Sequence, residues 1–196
     1  IKIMKIYLLR HTSLKIAQDV FYGQSDIDVS KNFMYEVSKI KAKLEEMKIN
    51  TDNINRFSSP LKRCVKLANQ IFKDFDQDDR LKELYFGDWE MKSSDQISKS
   101  EIENWQENIM DFKIPNGESN LEFFNRLKSF CNENVLNSKN EVFVVAHAGS
   151  INCIISYLTG IPFDTLVREN WKKIGYGSIS VLEKVEDKFV IKFLGR

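Results

Sequence analysis

Short apolar runs that end without turn residues alternate along this chain with stretches whose apolar residues recur every three or four positions. That alternation constrains the fold most, because period two marks strands and period 3.6 marks helices. IMKIYLL at 3–9 predicts a buried strand. After the loop GQSDIDVS, with Ser30 as cap, Phe33, Val37, Ile40, Leu44 and Met47 form one helical stripe. NINRFSS at 53–59 predicts a second strand running into SPLKRCVKLANQIF. There Ser59 caps a helix, Pro60 suits its first turn, and Leu61, Cys64, Val65, Ala68, Ile71 and Phe72 face the core. Ser119 and Glu122 form a capping box ahead of a stripe of Leu121, Phe124, Leu127 and Cys131. EVFVVAH at 141–147 is the most strand-like run, followed by a helix ending at Gly160. The tail from Ser178 reads as two strands joined near Glu186 and Asp187, a hairpin at a sheet edge.

This rhythm predicts an α/β fold: a three-layer α/β/α sandwich with a mostly parallel central sheet and a C-terminal antiparallel hairpin. A chain of 196 residues suits one domain over 1–196. Residues 88–118, polar around Trp89, Trp105 and Phe112, interrupt the rhythm and read as a helical, lid-like insertion. The formal net charge is +1 with no polybasic block, which speaks against nucleic acid or an anionic membrane surface as partner. IKIMKIYLL is too short and too broken by lysine for a signal peptide or membrane span. Cys64, Cys131 and Cys153 form no CxxC pair, and each lies in a helical pattern, as expected of reduced, buried thiols in a cytoplasmic protein.

The chemistry gathers where two strands end. In open α/β sheets, ligands bind beyond the carboxyl ends of strands. His11 and His147, the only histidines of the chain, both fall there. One histidine at a strand end is usually structural; the whole complement in that position is not well explained that way. Arg10 precedes His11, and Arg63 lies in the first turns of the helix after the second strand. With a protonated His147 and the free amides at the helix start near Ala148 and Gly149, these arginines would form a cationic nest suited to a phosphoryl dianion. Glu83, before an aromatic-glycine turn, adds a carboxylate for proton transfer. A metal site is the poorer reading, because no His-x-x-His or Glu-x-x-His spacing exists and two arginines would repel a cation.

Four ordered segments then carry a resemblance: LLRHT at 8–12, SSPLKRC at 58–64, LKELYFGDWE at 81–90 and VVAHAGSI at 144–151, with GES at 117–119. Together they resemble the histidine phosphatase superfamily, the phosphoglycerate mutase-like group. The resemblance implies a phosphomonoesterase working through a phosphohistidine, with no metal or organic cofactor. It makes His11 the nucleophile, Arg10, Arg63 and His147 the phosphoryl-binding groups, and Glu83 the general acid and base. FYGQSDIDVS at 21–30 is similar to the segment of alpha-ribazole phosphatases of cobalamin assembly. By that analogy Gln24 and the backbone at Gly23 line the phosphate pocket, and the Ala148 amide at the helix start can donate to the same group. Thr12 and Ala148 stand where the family commonly has glycine, which leaves the substrate open between alpha-ribazole phosphate, sugar phosphates and mutase-type phosphoglycerates. A non-catalytic phosphate-binding module is disfavoured because all five catalytic positions are filled. The expected partner is a small phosphate monoester; a homo-oligomer is neither indicated nor excluded.

Overall fold

The structure is a computed structural model and describes residues 3–170 and 173–196. Among the described residues six strands form one sheet: β1 (Lys5–Arg10), β2 (Asn55–Ser58), β3 (Asp76–Gln77), β4 (Val142–Ala146), β5 (Ile179–Val185) and β6 (Lys188–Phe193). Their spatial order is β3-β2-β4-β1-β5-β6. The pairs β2–β3, β2–β4 and β1–β4 are parallel, whereas β5 runs antiparallel to β1 and β6 antiparallel to β5. The expected edge hairpin is therefore present. Strand β3, Asp76–Gln77, is exposed and carries no apolar pattern that would mark it in the sequence.

The helices are α1 (Phe33–Glu46), α2 (Lys62–Ile71), α3 (Lys99–Glu107), α4 (Asn120–Asn134), α5 (Ala148–Thr159) and α6 (Phe163–Asn170). Successive side chains of a strand point to opposite faces, so a strand buried on both sides reads as a continuous apolar run. In β1 and β4, Ile6, Leu8, Val142, Val144 and Ala146 join a core with Phe123 and Leu127 of α4 and Ile151 and Ile154 of α5. Tyr7, Leu9, Phe143 and Val145 join a second core with Val37 and Ile40 of α1 and Leu67 and Ala68 of α2. Those two cores make the three layers.

Several local expectations shift. Ser30 does not cap α1: Asn32 occupies that place, and the Ser30 hydroxyl pairs with Ser13 Oγ at 2.8 Å. Leu61, not Ser59, precedes α2, whose buried face holds Arg63, Cys64, Leu67 and Ala68. In α4 the capping box forms as expected, but the buried stripe is Asn120, Phe123, Leu127, Phe130 and Cys131, with Leu121 exposed. Two phenylalanines in succession, 123 and 124, make the phase of that stripe ambiguous in sequence.

Residues 88–118 contain α3, which follows short 3-10 turns at Gly87–Trp89 and Ser94–Gln96. They are held by an aromatic cluster: Phe21 lies 5.8 Å from Trp89 and 6.0 Å from Trp105, and Trp89 stacks on Phe112 at 5.7 Å. Backbone bonds between Phe21 and both Met91 and Lys92 fasten the same contact. No helix among the described residues is long and apolar enough to cross a membrane.

Candidate active site

Sheet register brings the two histidines together. Arg10 is paired with Ala146 across β1 and β4, so the next residue on each strand, His11 and His147, leaves the sheet at one level. Their rings are 5.2 Å apart, nearly edge to face. Ser58 pairs with Val145, which places Ser59 beside them. Both histidines and Ser59 are buried.

Hydrogen bonds to groups that only donate or only accept fix the tautomers. His11 Nδ1 lies 2.8 Å from the Thr12 carbonyl, which can only accept. The proton therefore sits on Nδ1, and Nε2 carries the lone pair. For His147 the guanidinium Nε–H of Arg63 donates to Nδ1 at 3.3 Å, so the ring proton is on Nε2 and faces Ser59 Oγ at 2.8 Å. Burial first, then Arg10 and Arg63, hold His11 well below the ordinary histidine range. Burial, Arg63 and His11 do the same to His147. Both rings are neutral, which corrects the expectation of a protonated His147. Both of its nitrogens also have protein partners, so it offers a phosphoryl oxygen an N–H only by giving up Ser59.

Arg63 is fully buried, a costly position for a charge unless its donors are met. Besides His147, its Nη1 donates to the Ser25 carbonyl at 2.9 Å and its Nη2 to the Gly23 carbonyl at 2.5 Å. Arg10 donates from Nη1 to the Ile174 carbonyl at 2.7 Å, while its buried Nε has no partner among the described residues. The ring of Tyr176 covers its guanidinium at 4.1 Å.

Glu83 is tied to the start of α5, two residues beyond His147. Its Oε2 accepts from Gly149 N–H at 2.9 Å, in the first turn of α5, and its Oε1 from Leu84 N–H at 3.0 Å. Ala148 opens that helix, half-buried between His147 and Gly149. Arg126 holds the segment from below, donating to the carbonyls of Arg80, Lys82 and Glu83 and pairing with Glu118 at 2.6 Å. Glu118 is the acid of the GES motif, so that motif acts here as a brace for Glu83.

Gly23 and Gln24 are placed differently from the expectation. The Glu90 carboxylate collects the N–H groups of Gly23, Gln24 and Phe86 and the Ser25 hydroxyl. Gln24 Nε2 donates to the Glu83 carbonyl at 3.2 Å. The 23–25 turn thus presents carbonyls to Arg63, and its amides are engaged by Glu90. Ser59, Glu90 and Arg126 escaped sequence reasoning as site residues, and the Gly149 amide, expected to face a phosphoryl group, donates to Glu83 instead. Each acts through the backbone or a second residue, and only the position of Glu90 inside the DWE run gave a signal.

Cys64 Sγ lies 3.6 Å from both the Ala146 carbonyl and His147 Nε2. Burial pushes its thiol up to about 12, so it stays protonated and is no nucleophile. All three cysteines are buried and unbridged, as expected. Among the described residues no cluster of His, Cys, Asp and Glu is arranged to hold a metal ion.

The arrangement is a neutral imidazole with a free lone pair, flanked by two guanidinium groups and approached by a carboxylate. Comparison with known proteins agrees with it. The sequence model of the histidine phosphatase superfamily (branch 1) matches residues 6–196. A Hydrogenobacter thermophilus protein named "Putative phosphoserine phosphatase 2" is 30% identical over 173 residues, covering 83% of this chain and 82% of that protein. An Escherichia fergusonii protein named "Probable phosphoglycerate mutase GpmB" is 29% identical, covering 81% and 76%. The solved structure of alpha-ribazole phosphatase from Shigella flexneri superposes with a TM-score of 0.83 at 19% identity, over 98% of this chain and 96% of that one, a likeness of fold. The chain belongs to the histidine phosphatase superfamily, branch 1.

Proposed function

We propose that this chain hydrolyses small phosphate monoesters through a phosphohistidine at His11, without a metal ion. The observation that carries the reading is the His11 tautomer: the Thr12 carbonyl takes the Nδ1 proton and leaves Nε2 as the free nucleophile. Nε2 attacks phosphorus in line with the leaving oxygen. Arg10 and Arg63 spread the charge on the phosphoryl oxygens, and Glu83 gives a proton to the departing alkoxide. Water then attacks the phosphohistidine, Glu83 takes back a proton, and phosphate leaves. Two moderate barriers replace one high one.

Alpha-ribazole 5'-phosphate is the substrate the reading favours, supported by the FYGQSDIDVS segment and by the fold likeness to an alpha-ribazole phosphatase. Such an enzyme would work in the cytoplasm, in cobalamin assembly. The name of the 30%-identical relative supports a second reading, a compact ester such as phosphoserine. A panel of phosphate esters at matched concentration decides between them. Activity should survive EDTA, fall with vanadate, and be highest on alpha-ribazole 5'-phosphate. Loss on EDTA with recovery on zinc would overturn the mechanism. A clear preference for phosphoserine would overturn the substrate while leaving the mechanism in place.

A further inference from the structure

Two tyrosines roof the site, and neither belongs to the phosphoryl-binding set. Tyr176, on the loop before β5, stacks over the Arg10 guanidinium at 4.1 Å, and its ring centre lies 5.6 Å from that of His11. Tyr22, on the loop after β1, faces the Arg63 guanidinium at 5.5 Å. Their hydroxyls meet across the site at 2.7 Å. Beneath them His11, His147 and Arg63 are 1%, 1% and 0% exposed, whereas Tyr176 is 41% exposed. The neighbouring Phe21 fixes the position of Tyr22 through its contacts with Trp89 and Trp105. The pair therefore lies between solvent and the nucleophile, and it must part before an ester reaches His11.

We propose that Tyr22 and Tyr176 are the specificity-determining pair of this site, flanking the leaving group and selecting esters whose alcohol carries a planar aromatic ring. The proposal rests on the catalytic reading above. When the phosphoryl oxygens take up Arg10, the ring that covered it is released to the leaving group. The faces of both phenol rings are electronegative, so they stack on a planar ring and disfavour a carboxylate such as that of phosphoserine or phosphoglycerate. One aromatic contact is worth roughly 2- to 12-fold in kcat/KM.

The test compares benzyl phosphate with O-phosphoserine, both esters of primary alcohols, in wild type, Tyr22→Ala, Tyr176→Ala and the two phenylalanine variants. Wild type should favour benzyl phosphate. Each alanine variant should lower the ratio of the two kcat/KM values by roughly 2- to 12-fold. The phenylalanine variants, which keep the ring and lose the hydroxyl bridge, should hold that ratio within about twofold of wild type. Wild-type preference for O-phosphoserine, parallel loss on both esters, or an unmoved ratio in the alanine variants would each overturn the proposal. Turnover of neither ester by wild type would overturn this proposal, and the catalytic reading falls with it only when alpha-ribazole 5'-phosphate also goes unhydrolysed; turnover with an unmoved ratio overturns this one alone.

Discussion

A single backbone carbonyl decides what His11 can do. Thr12 follows the histidine directly, and its C=O fixes the ring by accepting from Nδ1. Burial beside two guanidinium groups then keeps the ring neutral, as a nucleophile requires. Gly149 plays a comparable part for Glu83. A Cβ at that position would lie 2.3 Å from Glu83 Oε1 and 3.0 Å from Phe123, so only glycine lets the carboxylate reach the start of α5. Gly149→Ala should displace Glu83 and slow hydrolysis of benzyl phosphate by about tenfold or more, a fraction of the 100-fold or greater effect of a general acid. p-Nitrophenyl phosphate, whose leaving group needs little protonation, should lose far less. Glu83→Gln should show the same contrast, and equal losses on both esters in steady-state assays would remove Glu83 as proton donor.

Elements explain which parts of this arrangement were legible in the sequence. Strands β1 and β4 are buried on both faces, so their apolar runs stood out and placed both histidines at strand ends. What the sequence lacked was register. Only the pairing of Arg10 with Ala146 and of Ser58 with Val145 shows that His11, His147 and Ser59 leave the sheet together. Ser59 looked like a helix cap because serine before Pro60 usually is one, yet its hydroxyl faces His147. Arg63 was legible as a member of the cationic nest, but its complete burial was not. It lies four positions before Leu67 on the buried face of α2, and its carbonyl partners come from a loop about forty residues away. Gly23 and Gln24 read in the sequence as lining the phosphate pocket, whereas their amides are engaged by Glu90, which depends on the 88–118 excursion folding back onto Phe21.

At the scale of the whole molecule, the cost of this site falls on acid stability. Both histidines are buried and held well below the ordinary value of 6.5, whereas in the unfolded chain they protonate near it. The unfolded state then binds more protons than the folded one as pH falls below about 6.5, so stability is complete above that pH and declines beneath it. The decline should reach about 1.4 kcal/mol per pH unit for each histidine. Urea unfolding between about pH 5 and 7 should give a shallower slope for His11→Gln than for wild type; equal slopes would mean that His11 titrates normally in the folded protein.

The central claim, that His11 Nε2 carries the phosphoryl group, is tested most directly by quenching the enzyme during turnover of a phosphorus-labelled ester and mapping the label. Wild type should yield an acid-labile, base-stable adduct on the peptide containing His11, and His11→Ala should yield none. Label on any other residue, or the same label in the His11→Ala protein, would contradict the account.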